Sequence, residues 1–254
     1  MDGNQPNEKN IAVRIMYDGT NYHGWQRQKN AFTVQQHVEE ALSETIGRKI
    51  SVVGCSRTDS GVHALDYVFN FKSDTKIPAD RLPYALNYRL NEDVTALEAF
   101  EVDMDFNARF SSKGKRYIYR IWNSAMPNPF ESRYSWFFPY KLDRSAMIEA
   151  AGYFCGRHDF RGFMATGGQQ NTTVRNVRVC SVEEDPERRE LITATVEADA
   201  FLYNMVRIIT GTIVEAGLGK IRPGDIPDII ESGDRVRGGI TAPPQGLFLK
   251  KYYF

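Results

Sequence analysis

Hydrophobic residues in the first quarter of the chain alternate, and then the period changes. Ile11, Val13, Ile15 and Tyr17 fall on every second position, as in a strand with one buried face, and Asp18-Gly19 ends the run. Thr33 and Gln36 have the form of a capping box, and Val34, Val38, Ala41, Leu42 and Ile46 follow at helical spacing until Gly47. The pattern then predicts strands at about 50–55 and 65–73, the second marked by Leu65, Tyr67, Phe69 and Phe71. A short helix around 79–88 and an extended run at 93–102 complete the first half.

That order, β-α-β-β-α-β, is the ferredoxin-like pattern, in which an antiparallel sheet carries its helices on one face. The second half repeats it without obvious sequence identity. Strands are predicted at 115–122, 174–184, 190–198 and 247–252, with helices over 143–155 and 201–217 and a shorter one from Pro223. The expected fold is α+β, with two ferredoxin-like (RRM-like) halves and a cleft between them. Residues 1–9 would be a flexible tail, 10–104 the N-terminal domain and 105–254 the C-terminal domain.

Composition narrows the class without identifying it. The 254 residues are 42% hydrophobic and 25% charged, ordinary values for a globular protein. Thirty-two basic and thirty-two acidic residues cancel, which argues against a uniformly basic nucleic-acid binder but not against a local patch. The polar N-terminus lacks the apolar core of a signal peptide, and no run of apolar residues is long enough to span a bilayer. Cys55, Cys155 and Cys180 show no paired spacing and read as reduced thiols of a cytoplasmic protein. His23, His37, His63 and His158 are scattered without ligand-like spacing. No G-x-x-x-x-G-K-[ST] loop exists, and Gly217-Leu-Gly219 followed by Gly224 is a poor dinucleotide match interrupted by Pro223, so neither a metal nor a nucleotide cofactor is indicated.

Three stretches carry candidate chemistry. The first is C-S-R-T-D-S-G-V-H-A-L-D, residues 55–66, which puts Asp59 on a loop between two predicted strands. Arg57, two residues away, can hold the carboxylate ionised and oriented. On local sequence alone an Asp before Ser-Gly reads first as a turn residue capping its own backbone. The second stretch, from Asn107 to Trp122, carries Arg109, Lys113, Lys115, Arg116 and Arg120 with no acidic residue. Phe110, Tyr117, Tyr119 and Trp122 are interleaved with them, a combination of phosphate-pairing charge and flat faces that points towards RNA. The third is Arg207, inside the apolar helix F-L-Y-N-M-V-R-I-I-T-G-T-I-V-E-A. A guanidinium there needs an anionic partner or a route to solvent, and Asp59 is a candidate partner.

Six ordered motifs give these stretches a common context: Y-D-G-T-N-Y-H-G-W-Q-R-Q (17–28), S-R-T-D-S-G-V-H-A (56–64), F-N-A-R-F-S (106–111), K-R-Y-I-Y (115–119), N-M-V-R (204–207) and A-P-P-Q-G-L (242–247). Over nearly its whole length the chain resembles the tRNA pseudouridine synthase A family. The resemblance implies conversion of uridine to pseudouridine at positions 38 to 40 of the tRNA anticodon stem-loop, with one aspartate, no cofactor, and a homodimer that clasps the tRNA. It places the nucleophile on Asp59, its arginine partner on Arg207, and the tyrosine packed on the target uracil on Tyr117. Arg57 joins Tyr117 as a substrate-binding candidate, and the base-flipping segment falls on Phe106, Asn107, Ala108, Arg109 and Phe110. Such isomerisation needs neither energy input nor a diffusing reagent, and the flipped base can recover stacking of roughly 1–3 kcal/mol on an aromatic ring.

The chain departs from the family pattern at Ser56, usually Gly, and at Asn107, usually His. It also departs across G-G-Q-Q-N-T-T-V (167–174), where the family commonly has an arginine and a proline. An rRNA or other RNA target, or a non-catalytic RNA-binding relative, is the alternative reading. An aspartic protease is disfavoured because no second D-[ST]-G exists in the chain.

Overall fold

A computed structural model describes residues 8–168 and 172–254. The chain divides into two compact units: one runs up to Lys113 and includes Leu249–Phe254, the other is Gly114–Phe248. The expected boundary between residues 104 and 105 therefore falls within the first unit. Residues 1–7 of the expected tail, and 169–171 of the 167–174 departure, lie outside the described residues.

The first unit contains β1 (Lys9–Tyr17), α1 (Val34–Ile46), β2 (Val53–Gly54), β3 (His63–Ser73), α2 (Leu82–Asn87) and β4 (Val94–Val102). Strand β1 lies between β4 and β3, antiparallel to both, in a register running from Lys9↔Ser73 to Tyr17↔Ala64 on the β3 side. Strand β2 adds to β3 at Val53↔Asn70 and Gly54↔Phe69, which completes the ferredoxin-like order. The core joins Ile11, Val13 and Ile15 of β1 to Val34, Val38 and Leu42 of α1, all essentially buried. Helix α1 begins where the sequence predicts, with Thr33 Oγ1 accepting the Gln36 amide at 3.3 Å. The Gln36 side chain donates through Nε2 to Glu40 Oε1 at 2.9 Å, one turn further along the helix.

The strand predicted over 50–55 shrinks to two residues for a local reason. The Ile50 amide donates to Ser43 Oγ at 2.9 Å and the Val52 amide to Glu39 Oε1 at 3.1 Å. Side chains of α1 thus take the bonds that a ladder would have made.

The second unit contains β5 (Gly114–Asn123), β6 (Trp136–Phe138), α3 (Arg144–Gly152), β7 (Gly156–Asp159), β8 (Val174–Glu184), β9 (Leu191–Ala198), α4 (Met205–Gly217) and α5 (Ile226–Ser232). Its antiparallel order is β5-β9-β8-β7, with β6 running parallel to the end of β5 at Ile121↔Trp136. Strands β6 and β7 are too short to show a period, and the sequence does not predict them. Helix α4 starts four residues later than expected because Asn204 takes a left-handed conformation, φ 59°. It buries Met205, Ile208, Ile209, Ile213 and Val214. The last strand, β10 (Leu247–Tyr253), lies beside β3 and from Leu249 onward belongs to the first unit. Among the described residues no helix is long and apolar enough to cross a membrane.

Candidate active site

Asp59 sits on the loop between β2 and β3, and that loop is held by backbone bonds from residues 17–25. The Trp25 amide donates to Thr58 O at 3.2 Å, and the Gly61 amide to Tyr22 O at 3.3 Å. The Val62 amide closes the turn onto Asp59 O at 3.1 Å. Side chains add to this: the hydroxyls of Tyr17 and Thr58 are 2.8 Å apart, and Tyr67 OH donates to Ser56 O at 2.5 Å. The Trp25 ring stacks on Tyr67 with centroids 4.1 Å apart. Gly24 has φ +77°, and a Cβ there would stand 2.3 Å from Thr58 O and 3.0 Å from the Asp59 carbonyl carbon. Only glycine satisfies both the backbone angle and the contact. The loop is therefore rigid below, with Thr58 buried, Asp59 half-buried and Arg57 exposed. The Y-D-G-T-N-Y-H-G-W motif has become a bed for the loop, a role that spacing alone does not reveal.

The segment Phe106–Phe110 is clamped at its base and free at its tip. Asn107 Oδ1 accepts the amides of Arg109 at 3.0 Å and Phe110 at 3.3 Å, so the asparagine caps its own turn. The Ala108 amide donates to Asn70 Oδ1 at 2.9 Å, and Ala108 O accepts Tyr252 OH at 2.5 Å. Phe106 is half-buried and packs edge-on to Phe254, centroids 5.4 Å apart. Arg109 and Phe110 point outward; Phe110 is 76% exposed, with the Arg109 guanidinium 5.4 Å from its ring centroid. A cation beside an exposed aromatic face suits contact with a nucleobase and its phosphate.

In the second unit Tyr117 lies on β5, 6% exposed, with Phe201 packed edge-on at 5.0 Å. Arg207 lies in the first turn of α4, where its Nε donates to Ala242 O at 2.7 Å and its Nη1 to Asn204 Oδ1 at 2.8 Å. The left-handed Asn204 is thus both the helix boundary and a clamp on the guanidinium. The Ala242 amide returns a bond to Arg207 O at 3.1 Å, and Tyr119 OH donates to Pro243 O at 2.6 Å. Burial pushes the Tyr119 phenol well above its ordinary range, partly offset by the positive charge of Arg207. The A-P-P-Q-G motif therefore braces Arg207, and Arg207 is half-buried rather than sealed in the helix.

The basic stretch from Arg109 to Arg120 looks different in three dimensions. Arg116 Nε bonds Glu197 Oε2 at 2.8 Å, and Arg120 Nη2 bonds the buried Glu131 at 2.9 Å. Tyr119 is fully buried and is a core residue, not a platform for a base. Local positive charge is thus less than the sequence suggests. The described residues hold no cluster of three or more His, Cys, Asp or Glu suited to a metal ion. The three cysteines are free thiols, Cys55 and Cys180 buried and Cys155 exposed.

The sequence model of a family described as tRNA pseudouridine synthase matches residues 13–111 and 150–254. The chain is 47% identical over 246 residues to a tRNA pseudouridine synthase A of Thermoanaerobacter sp., covering 97% of this chain and 100% of that protein. It is 48% identical over 246 residues to the tRNA pseudouridine synthase A of Acetivibrio thermocellus, with the same coverage. Among solved structures, one from a Cbf5-Nop10-Gar1 complex aligns with 94% of this chain and 57% of that one. At 10% identity and a TM-score of 0.34, that likeness is too slight to carry an argument.

Proposed function

Because the chain belongs to the tRNA pseudouridine synthase family, whose model spans both of its units, we propose that it isomerises uridines 38 to 40 of the anticodon stem-loop with Asp59 as nucleophile. The isomerase class and the tRNA substrate follow from family membership. The assignment to Asp59 is supported by one observation above the others: the backbone around it is fixed from below by Tyr17, Tyr22, Gly24 and Trp25, while Asp59 itself stays half-buried. A carboxylate so mounted can reach a ribose or a base without an ordering cost at the moment of reaction.

The reaction breaks the bond from C1′ to N1, turns the uracil and joins C1′ to C5; N1 gains a proton and C5 loses one. No atom is added or removed overall, so no redox partner or group donor enters the balance. In this reading Arg207 supplies the cation for the Asp59 carboxylate and Tyr117 the face on which the uracil packs. Arg57 binds the substrate, while Arg109 and Phe110 enter the RNA as the target base leaves its stack, at a cost of a few kcal/mol. The clamp on Arg207 by Ala242 and Asn204 supports its part, since it fixes the guanidinium before substrate arrives. A homodimer that clasps one tRNA and a cytoplasmic location complete the proposal, the latter supported by three free thiols.

The test is site-resolved mapping of pseudouridine in unmodified tRNA after incubation with the wild type and with Asp59→Asn. The wild type should modify positions 38 to 40, and Asp59→Asn should bind tRNA normally without turnover. Modification at other positions would remove the assigned target, and turnover by Asp59→Asn would remove the nucleophile.

A further inference from the structure

Two buried asparagines have no part in the chemistry described so far. Asn10 on β1 is 1% exposed and Asn70 on β3 is 4% exposed, on the sheet face opposite Ile11, Val13 and Ile15, which they share with Ala12, Val68 and the Arg14–Asp66 ion pair. The register pairs Asn10 with Lys72 and Ala12 with Asn70, so the two amides are diagonal neighbours on one face. Asn70 Nδ2 donates to Asn10 Oδ1 at 2.9 Å and to Phe106 O at 3.2 Å, while its Oδ1 accepts the Ala108 amide at 2.9 Å. Asn10 Nδ2 donates to Asp103 O at 2.8 Å and Phe106 O at 2.9 Å. Each amide spends both its nitrogen and its oxygen, and every bond outside the pair goes to the backbone of residues 103–108.

A core needs no such pair for its own stability. Burying two amides is costly unless all their bonds are made, and apolar residues of similar volume would fill the same space. What the pair supplies is a fixed position for one loop. The same β3 residue faces Val53 across the ladder, on the strand that leads directly into the Asp59 loop. Asn70 therefore touches both the strand carrying that loop and the base of the Phe106–Phe110 segment.

We propose that Asn10 and Asn70 are positioning residues that hold Arg109 and Phe110 at a set height relative to the Asp59 loop, with Tyr252 OH as a third anchor through Ala108 O. This rests on the reading of Phe106–Phe110 as a segment that contacts RNA. The pair acts through backbone and touches no substrate.

The experiment combines Asn70→Asp, Tyr252→Phe and Arg109→Ala, each read by melting, hydrogen exchange of the peptide covering 103–111, and turnover on tRNA. Asn70→Asp keeps the acceptor for the Ala108 amide but removes both donors and sets a carboxylate against two oxygens. Exchange in 103–111 should accelerate while β1 and β3 stay protected, and kcat/KM should fall on the order of 100-fold, the loss expected from misplacing a group by ~1 Å. Tyr252→Phe removes one anchor without disturbing the amides and should shift exchange and turnover the same way by less; it also serves if Asn70→Asp does not fold. With Arg109 already removed, Asn70→Asp should cost much less than it does alone. Unchanged exchange in 103–111, or protection lost evenly across the unit, would overturn the positioning role. If Arg109→Ala turns over normally, the segment makes no useful RNA contact and the underlying reading fails. If Arg109→Ala is slow but the anchor variants are not, the reading stands and the positioning role alone is lost.

Discussion

Gly24→Ala is the most exacting perturbation of the candidate site, because it adds one carbon at a position where two separate costs can be worked out. The first is conformational: at φ +77° an alanine is held in the left-handed region, at about 1–2 kcal/mol. The second is steric. The new Cβ would stand 2.3 Å from Thr58 O, well inside the ~3 Å of ordinary contact, so the loop must shift by several tenths of an ångström. Such overpacking costs about 1–3 kcal/mol. Together the loss is about 2–5 kcal/mol, or at least ~4 °C in melting temperature for a chain of this size. Gly47→Ala separates the two costs. Gly47 caps α1 at φ +82° with nothing within 4 Å of its virtual Cβ, so only the conformational part remains. Urea unfolding of both variants gives the difference, and turnover on tRNA gives its consequence: Gly24→Ala should lose on the order of 100-fold in kcat/KM because Asp59 is displaced, and Gly47→Ala should lose almost nothing. Equal stability losses in the two variants, or near-normal turnover by Gly24→Ala, would refute the account of the loop as a carboxylate mounted on this glycine.

Two other outcomes are expected. His37 is buried with its Nε2 accepting the Asn91 amide at 3.0 Å, and burial lowers its pKa below the ordinary 6.5. The unfolded chain then binds the extra proton first, so this stability is present above ~6.5 and falls as the solution is acidified, by up to about 1.4 kcal/mol per pH unit. Unfolding at pH 7 and pH 5.5 should show that slope, and His37→Gln should flatten it; equal slopes would exclude His37 as the cause. The ion pairs of Arg116 and Arg120 predict that changing both to Gln alters the salt dependence of tRNA affinity by less than one phosphate contact, a slope of about 0.9. A fall of about two contacts would mean that both arginines leave their carboxylates for the RNA.

Much of the architecture is legible in the sequence because its strands and helices are long enough to display a period. Helix α1 and strands β3, β5, β8 and β9 fall within a few residues of their predicted spans. The errors have physical causes that periodicity does not carry. Ile50 and Val52 look like strand residues, but Ser43 and Glu39 of the preceding helix take their amides. Phe201 to Asn204 continue the apolar pattern of α4, yet one left-handed residue ends the helix there. At the candidate site, Asp59, Tyr117 and Arg207 stand out through motifs, whereas what fixes them does not. Asn10 and Asn70 are sixty positions apart and appear as polar faults in two good strands. Glu197 lies eighty-one residues from the arginine it neutralises, so the basic stretch looks freer in one dimension than it is in three.

The closing strand also bears on how the protein is made. Leu249–Phe254 belongs to the first unit, where the Tyr252 amide donates to Asp66 Oδ2 at 3.0 Å and its hydroxyl to Ala108. The ribosome releases the rest of that unit first, then all of Gly114–Phe248, before these residues emerge. At roughly 5–20 residues per second the early unit waits on the order of ten seconds with the part of the β3 edge beyond β2 uncovered. During that interval the nascent chain presents an unpaired strand edge, a known hazard for pairing with other chains. Synthesis therefore runs in an order that leaves the half carrying Asp59 to be finished last.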